Sequence, residues 1–194
     1  VQGARKLYVL VLADGAARLI ADAADAKDGC PIESHPDGGQ VLYFRGGKGF
    51  LFIGVDGKNP RPLDLGVRET GEPCLSADGK RLALRAGHNL YAVDLAAGGR
   101  RKFARGCSPG VSPDGKRLMH NVGSHRALAI ESWDGKDKKK VDARHCRPDG
   151  SWDNHHWSNH PDYVAAQGDG KARASYILHL PTGRCTRVSW NGRT

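Results

Sequence analysis

Ser112-Pro113-Asp114-Gly115-Lys116-Arg117-Leu118 is the stretch on which the architecture turns. Asp-Gly lets the backbone take positive φ at low cost, as a tight hairpin turn requires. Gly110-Val111-Ser112 before it and Arg117-Leu118-Met119-His120 after it read as the two strands that the turn joins. The signature recurs as Ser76-Ala77-Asp78-Gly79-Lys80-Arg81-Leu82 and as His35-Pro36-Asp37-Gly38. An altered copy is Ser158-Asn159-His160-Pro161. The signature aspartates Asp37, Asp78 and Asp114 are spaced 41 and 36 residues apart, a period that marks an array of units sharing one core.

Each signature is followed by an apolar strand, a loop, a second apolar strand and another turn. The strands after the signature are Val41–Phe44, Arg81–Leu84, Arg117–His120 and Tyr163–Ala166. The next are Phe50–Ile53, Leu90–Val93, Ala127–Trp133 and Tyr176–His179. Each of these runs into a Gly-bearing turn at Asp56-Gly57, Gly98-Gly99, Asp134-Gly135 or Thr182-Gly183. The Ala-rich stretch Ala16 to Lys27 is the sole helix candidate, and the repeat register predicts a strand followed by a loop there. Four short antiparallel strands at this period form the blade of a propeller, so the expected fold is all-β.

The signature resembles the repeat of TolB-type, WD40-like (PD40) β-propellers, over nearly the whole chain. The resemblance implies one propeller domain over residues 1–194: a half-blade at 1–24, then blades near 28–66, 72–105, 107–142 and 152–190. The fourth copy departs from the pattern, with Asn159-His160-Pro161-Asp162 where Pro-Asp-Gly is expected, and residues 142–157 carry an insertion. The chain starts mid-blade, with Lys6–Leu12 as a third strand and Ala17–Ile20 as a fourth. A short ring, a piece of a longer chain, or completion by a partner's strand all accommodate that. The first residue is Val1 and no signal-peptide pattern follows, so a mature or excised form is expected.

Formal net charge is +9 and the pI is near 9.5, with the densest basic run at Lys136-Asp137-Lys138-Lys139-Lys140. A solvated basic surface or an acidic glycan partner fits this. No recognised nucleic-acid motif occurs, so nucleic acid is not an expected partner. No apolar stretch approaches the roughly 20 residues that span a bilayer. Phosphate-loop and dinucleotide fingerprints are absent from the sequence.

In a propeller the first strand of each blade lines the central channel. Loops from a fourth strand to the next first strand share a face with loops between second and third strands. That register gathers Cys30, Cys74, Cys107, Cys146, His88, His125, His145, His155 and His156 at one channel mouth. The densest cluster is Trp152-Asp153-Asn154-His155-His156-Trp157. Aromatic faces beside directed hydrogen-bonding groups suit a recognition surface. Neutral imidazole is also a common metal ligand, which makes His88, His125 and His156 the metal candidates. Adjacent histidines on a strand point to opposite faces, so one of His155 and His156 faces the channel. The alternative is structural, with Trp157 packed between blades. The repetition of the signature aspartates argues that they form turns, since a catalytic group is needed once.

No two of the five cysteines have CxxC spacing. In an exported protein Cys30, Cys74, Cys107 and Cys146 are disulfide candidates and Cys185 the odd thiol; a redox or metal role is the other reading. Together these expectations describe a non-catalytic, secreted or periplasmic module without a required cofactor, a bound metal ion being possible. It would bind a protein or glycan through one face, or self-assemble. The rival is a metal-assisted enzyme using the His-rich face, as in polysaccharide lyases built on similar repeats.

Overall fold

The computed structural model describes residues 6–22, 32–45, 49–66, 71–142, 151–168 and 174–189, without the side chains of Ile32 and Asn154. Cys30, Cys146 and His145 lie outside these residues.

The signature turn is a closed hydrogen-bond circuit. Ser112 donates its hydroxyl to Asp114 Oδ1 at 2.6 Å, and Arg117 N–H returns to Ser112 Oγ at 2.9 Å. Lys116 N–H reaches Asp114 Oδ1 at 3.1 Å. Gly115, at φ 72°, donates to the Ser112 carbonyl at 2.8 Å. Ser76, Asp78 and Arg81 repeat the circuit. So do Ser132 and Asp134 at the following hairpin, with Asp137 closing it in place of arginine. The altered fourth copy keeps the hairpin because His160 replaces the aspartate: its Nδ1 accepts Asp162 N–H at 3.2 Å, two residues on, as Asp114 accepts Lys116. Ser158 N–H pairs with the Tyr163 carbonyl at 2.9 Å.

These turns organise an all-β fold of up-and-down antiparallel sheets. β1 (Lys6–Leu10) and β2 (Ala17–Asp22) form a two-stranded sheet. The Ala-rich stretch thus begins as a strand. Four sheets of four strands follow, each in sequence order. The first holds β3 (Ile32–Ser34), β4 (Gln40–Arg45), β5 (Gly49–Gly54) and β6 (Arg61–Pro62). The second holds β7 (Gly71–Leu75), β8 (Arg81–Ala86), β9 (Asn89–Asp94) and β10 (Gly99–Arg105). The third holds β11 (Gly110–Val111), β12 (Arg117–Val122), β13 (Ala127–Ser132) and β14 (Lys138–Asp142). The fourth holds β15 (Trp152–Trp157), β16 (Tyr163–Gly168), β17 (Ala174–His179) and β18 (Cys185–Arg187).

First strands are neighbours: β7 meets β3 on one side and β11 on the other, and β11 meets β15. Successive sheets therefore stack face to face about the first strands, as propeller blades do.

One apolar cluster fills each junction. Leu7 and Ile20 pack on Val41, Tyr43, Leu51 and Ile53. Leu42, Phe50 and Phe52 pack on Leu82, Leu84 and Val93. Ala83, Leu90 and Ala92 pack on Val111 and Leu118. Met119, Leu128 and Ile130 pack on Trp152, Val164, Tyr176 and Leu178. The arginines that follow Asp78-Gly79-Lys80 and Asp114-Gly115-Lys116 also cross to the next blade. Arg81 donates to the Gly115 carbonyl at 2.5 Å and lies over Trp133. Arg117 donates to the Pro161 carbonyl at 2.5 Å and lies over Trp157.

Candidate functional site: the channel mouth and its rim

The repeat register directs the cysteine and histidine side chains to one mouth; among the described residues they fall in two groups, one at each end of the first strands. The first is on the rim between the second, third and fourth sheets. Cys107 and Ser108 sit in the β10–β11 connection, and His125 in the β12–β13 turn. Cys107 Sγ is 3.1 Å from His125 Nε2. The other ring nitrogen, His125 Nδ1, is 3.9 Å from Asp153 Oδ1 on β15. Asn121 Nδ2 contacts the Cys107 sulfur at 3.7 Å, Ser108 Oγ at 3.4 Å and the Trp152 carbonyl at 3.4 Å. Ser108 N–H donates to Glu72 Oε2 at 2.6 Å, and Glu72 Oε1 pairs with Arg85 at 3.2 Å. Four non-glycine residues of this group hold positive φ: Glu72 (56°), Ser108 (54°), Ser124 (53°) and His125 (66°). Such backbone costs on the order of 1 kcal/mol per residue and persists only where surrounding contacts fix it.

Behind the rim lie buried polar groups. His155, His120 and Asn121 are 3%, 9% and 5% exposed. Neither ring nitrogen of His155, nor His120 Nδ1, nor Asn121 Oδ1 has a hydrogen-bond partner among the described residues. Burial pushes the His155 imidazole down to about 4, so it is neutral at pH 7.

The second group lines a cavity of about 270 Å³ where the first strands of all four sheets converge. Glu33, Cys74, Val111, Pro113, His156 and Trp157 contribute to it. Desolvation raises the Glu33 carboxyl to about 7. Burial pushes the Cys74 thiol up to about 12; the Val111 N–H donated to its sulfur acts the other way, and the Glu33 charge adds to the rise. That sulfur is an inert packing group.

The Trp152–Trp157 cluster divides between roles. Trp152 is 3% exposed, stacked edge-on against Tyr176, so its aromatic face belongs to the core and not to a recognition surface. His155 is buried as well, although strict alternation would turn it away from the side of Trp152. Asp153 belongs to the rim, His156 is exposed at the channel cavity, and Trp157 ties Nε1 to the Pro161 carbonyl at 2.7 Å. A register irregularity between Asp153 and His156 resets which side chains face inward. The side chain of Asn154 lies outside the described residues. His88 is exposed in the β8–β9 turn and offers its carbonyl to Gly106 N–H at 3.0 Å, as His125 offers its own to Trp152 N–H at 2.7 Å. The metal candidates His88, His125 and His156 are therefore not one ligand set, and among the described residues no three His, Cys, Asp or Glu form a group suited to an ion.

The cysteines require correction. Cys74 and Cys107, expected in disulfides, are free thiols. Their sulfurs are held instead by the Val111 backbone and by His125. Cys185, expected to be the odd thiol, is disulfide-bonded. No disulfide joins two described cysteines. The Cys107–His125–Asp153 grouping and the supporting Glu72, Ser108 and Asn121 had no local motif to reveal them. Their one sequence signal was the repeat register that puts both loop types on one face.

No protein-family model matches the chain, and no curated protein matches it. Solved structures do. A putative TolB from Agrobacterium tumefaciens aligns with TM-score 0.71 at 18% identity, over 94% of this chain and 73% of that one. TolB from Acinetobacter baumannii aligns with TM-score 0.72 at 16% identity, over 95% and 49%. An oligogalacturonate lyase in complex with manganese aligns with TM-score 0.68 at 13% identity, over 93% and 57%. The chain thus spans about half to three quarters of the length of these structures. At such identities the likeness concerns the fold alone: the chain is an all-β, TolB-like β-propeller array of about four blades.

Proposed function

We propose that the chain is an extracytoplasmic binding or assembly module that holds a protein or an acidic glycan on its channel-mouth face. The observation that carries this is the convergence of four first strands on one open cavity with a mixed lining. Glu33 and His156 supply directed polar contacts there, and Trp157 and Pro113 supply apolar area. Aromatic and polar groups at a concave mouth are what recognition uses. The TolB likeness supports a binding role. A groove between the third and fourth sheets, in which Lys116, Arg117, Lys138 and Lys139 outnumber Glu131 and Asp137, supports an acidic partner.

The lyase likeness favours the enzymatic alternative by fold only, because His88, His125 and His156 stand in separate environments. The test is a titration of oligogalacturonate and of acidic peptides, each with and without manganese. Binding without turnover is expected, weakened several-fold by His156→Ala. Manganese-dependent formation of unsaturated sugar product would overturn the binding reading in favour of the lyase.

A further inference from the structure

We infer that Cys107, His125 and Asp153 form a nucleophilic thiol site that performs thiol–disulfide exchange with disulfides of small thiols. The inference does not depend on the partner held at the channel mouth. Three features of the geometry carry it. Cys107 Sγ and His125 Nε2 are 3.1 Å apart, within reach for direct proton transfer, and Asp153 Oδ1 lies 3.9 Å from the far ring nitrogen. Asn121 Nδ2 points a further N–H at the sulfur from 3.7 Å. The site opens to solvent, since the His125 and Asp153 side chains are 38% and 43% exposed. The strained backbone at Ser108 and His125 shows that the surrounding contacts hold the two loops in this arrangement. The neighbouring His155 stays neutral by burial, so it adds no positive charge beside His125.

The reaction class follows from what the site lacks room to do. Acyl transfer needs N–H donors free to receive an oxyanion. The amide following the nucleophile is Ser108 N–H, and it is occupied by the Glu72 carboxylate at 2.6 Å. A negative oxygen there would meet another negative charge. Displacement at sulfur develops no oxyanion and needs a thiolate and a proton donor for the leaving thiol. His125 Nε2 takes the Cys107 proton. The sulfur attacks one sulfur of R–S–S–R′, and the S–S bond breaks as Cys107–S–S–R forms. The leaving thiolate takes the proton back from the imidazolium. One disulfide is consumed and one formed, so no external oxidant is required.

The test uses the intact chain at pH 7 with an aromatic disulfide, dithiobis(nitrobenzoate), whose released thiolate is coloured. A fast phase is expected that Cys107→Ser abolishes and Cys74→Ser leaves in place. His125→Asn removes the base while suiting the positive φ at that position, and should slow the phase at least about tenfold. Asp153→Asn should slow it by a smaller factor. Mass spectrometry should place the mixed disulfide on Cys107. A Cys107 rate no greater than that of an unstructured cysteine peptide, or a His125→Asn protein as fast as its parent, overturns the assignment. So does a burst with turnover on p-nitrophenyl acetate, since that would mean acyl chemistry. Folding of each variant is checked by its urea transition, and a Cys107 mixed disulfide that forms equally fast after unfolding also overturns the proposal.

Discussion

A glycine at position 79 is demanded twice, by its own backbone at φ 68° and by the neighbouring blade. A Cβ there would run into the His35 ring. Gly98 has a similar φ of 72° but open space around it. Gly98→Ala is thus expected to cost about 1 kcal/mol from backbone strain alone, and Gly79→Ala clearly more, read from urea midpoints. Equal losses would mean that His35 yields freely and the blade contact is soft. Asp114 acts through its circuit with Ser112 and Lys116. Its carboxyl is held below the usual range although burial, the largest influence, works upward; the Ser112 hydroxyl and Lys116 amide outweigh it. Asp114→Ala should destabilise by about 1–2 kcal/mol in the same measurement, with no change in disulfide reactivity. Both residues were legible in the sequence, because a turn former announces itself locally. His160 was not, since its aspartate-like acceptor role depends on a ring nitrogen aimed two residues ahead.

β15 shows where strand-level reading reached its limit. Alternation correctly separated His155 from His156, but the irregularity after Asp153 lies in the pairing with β16, and the burial of Trp152 comes from packing against Tyr176 on β17. The buried imidazole gives this strand a pH signature. His155 titrates at about 4 in the fold against 6.5 when free. Between those values the unfolded chain binds more protons, so this contribution is fully present above pH 6.5 and is lost as pH falls through about 4. The shift corresponds to about 3 kcal/mol. Glu33 on β3 has the opposite sign: its carboxyl is raised from 4.5 to about 7, so its contribution is complete below pH 4.5 and fades as pH rises through 7. The parent should therefore show a shallow stability profile between pH 4.5 and 7. His155→Gln should unmask a net decline with rising pH, followed by urea denaturation across that range. A parent and variant of identical slope would show that His155 is not kept neutral.

At the level of the whole array, the terminal sheets leave apolar faces uncovered. Tyr8, Leu10, Leu12 and Leu19 are 52%, 58%, 90% and 44% exposed at the first sheet's end. Tyr163, Ile177 and Val188 are 39%, 39% and 46% exposed on the last. Period-two alternation puts Tyr8, Leu10, Leu19, Tyr163 and Ile177 opposite the side chains that fill the inter-blade clusters, so each face is shaped to receive another layer. Self-assembly is the expected consequence. The parent should associate at low micromolar concentration in sedimentation velocity, and Leu10→Lys with Ile177→Lys should return it to monomer. A monomeric parent would show that the exposed faces do not pair with each other.

The sequence alone determined the blade: strand order, turn positions and which residues alternate inward all follow from local backbone preference and period-two patterning. It also pointed to loops that share a face, which the meeting of Cys107 and His125 bears out, whereas Cys74 and His156 lie at the other ends of their strands. Tertiary structure alone decided which of them touch. Cys107 meets His125 and Asp153, Cys74 sinks against Val111, and Cys185 is bridged while Cys107 is free. The physical reason is that hydrogen bonding along a strand is local, whereas sulfur, imidazole and carboxylate from three separate elements are brought within ångströms only by how successive sheets stack.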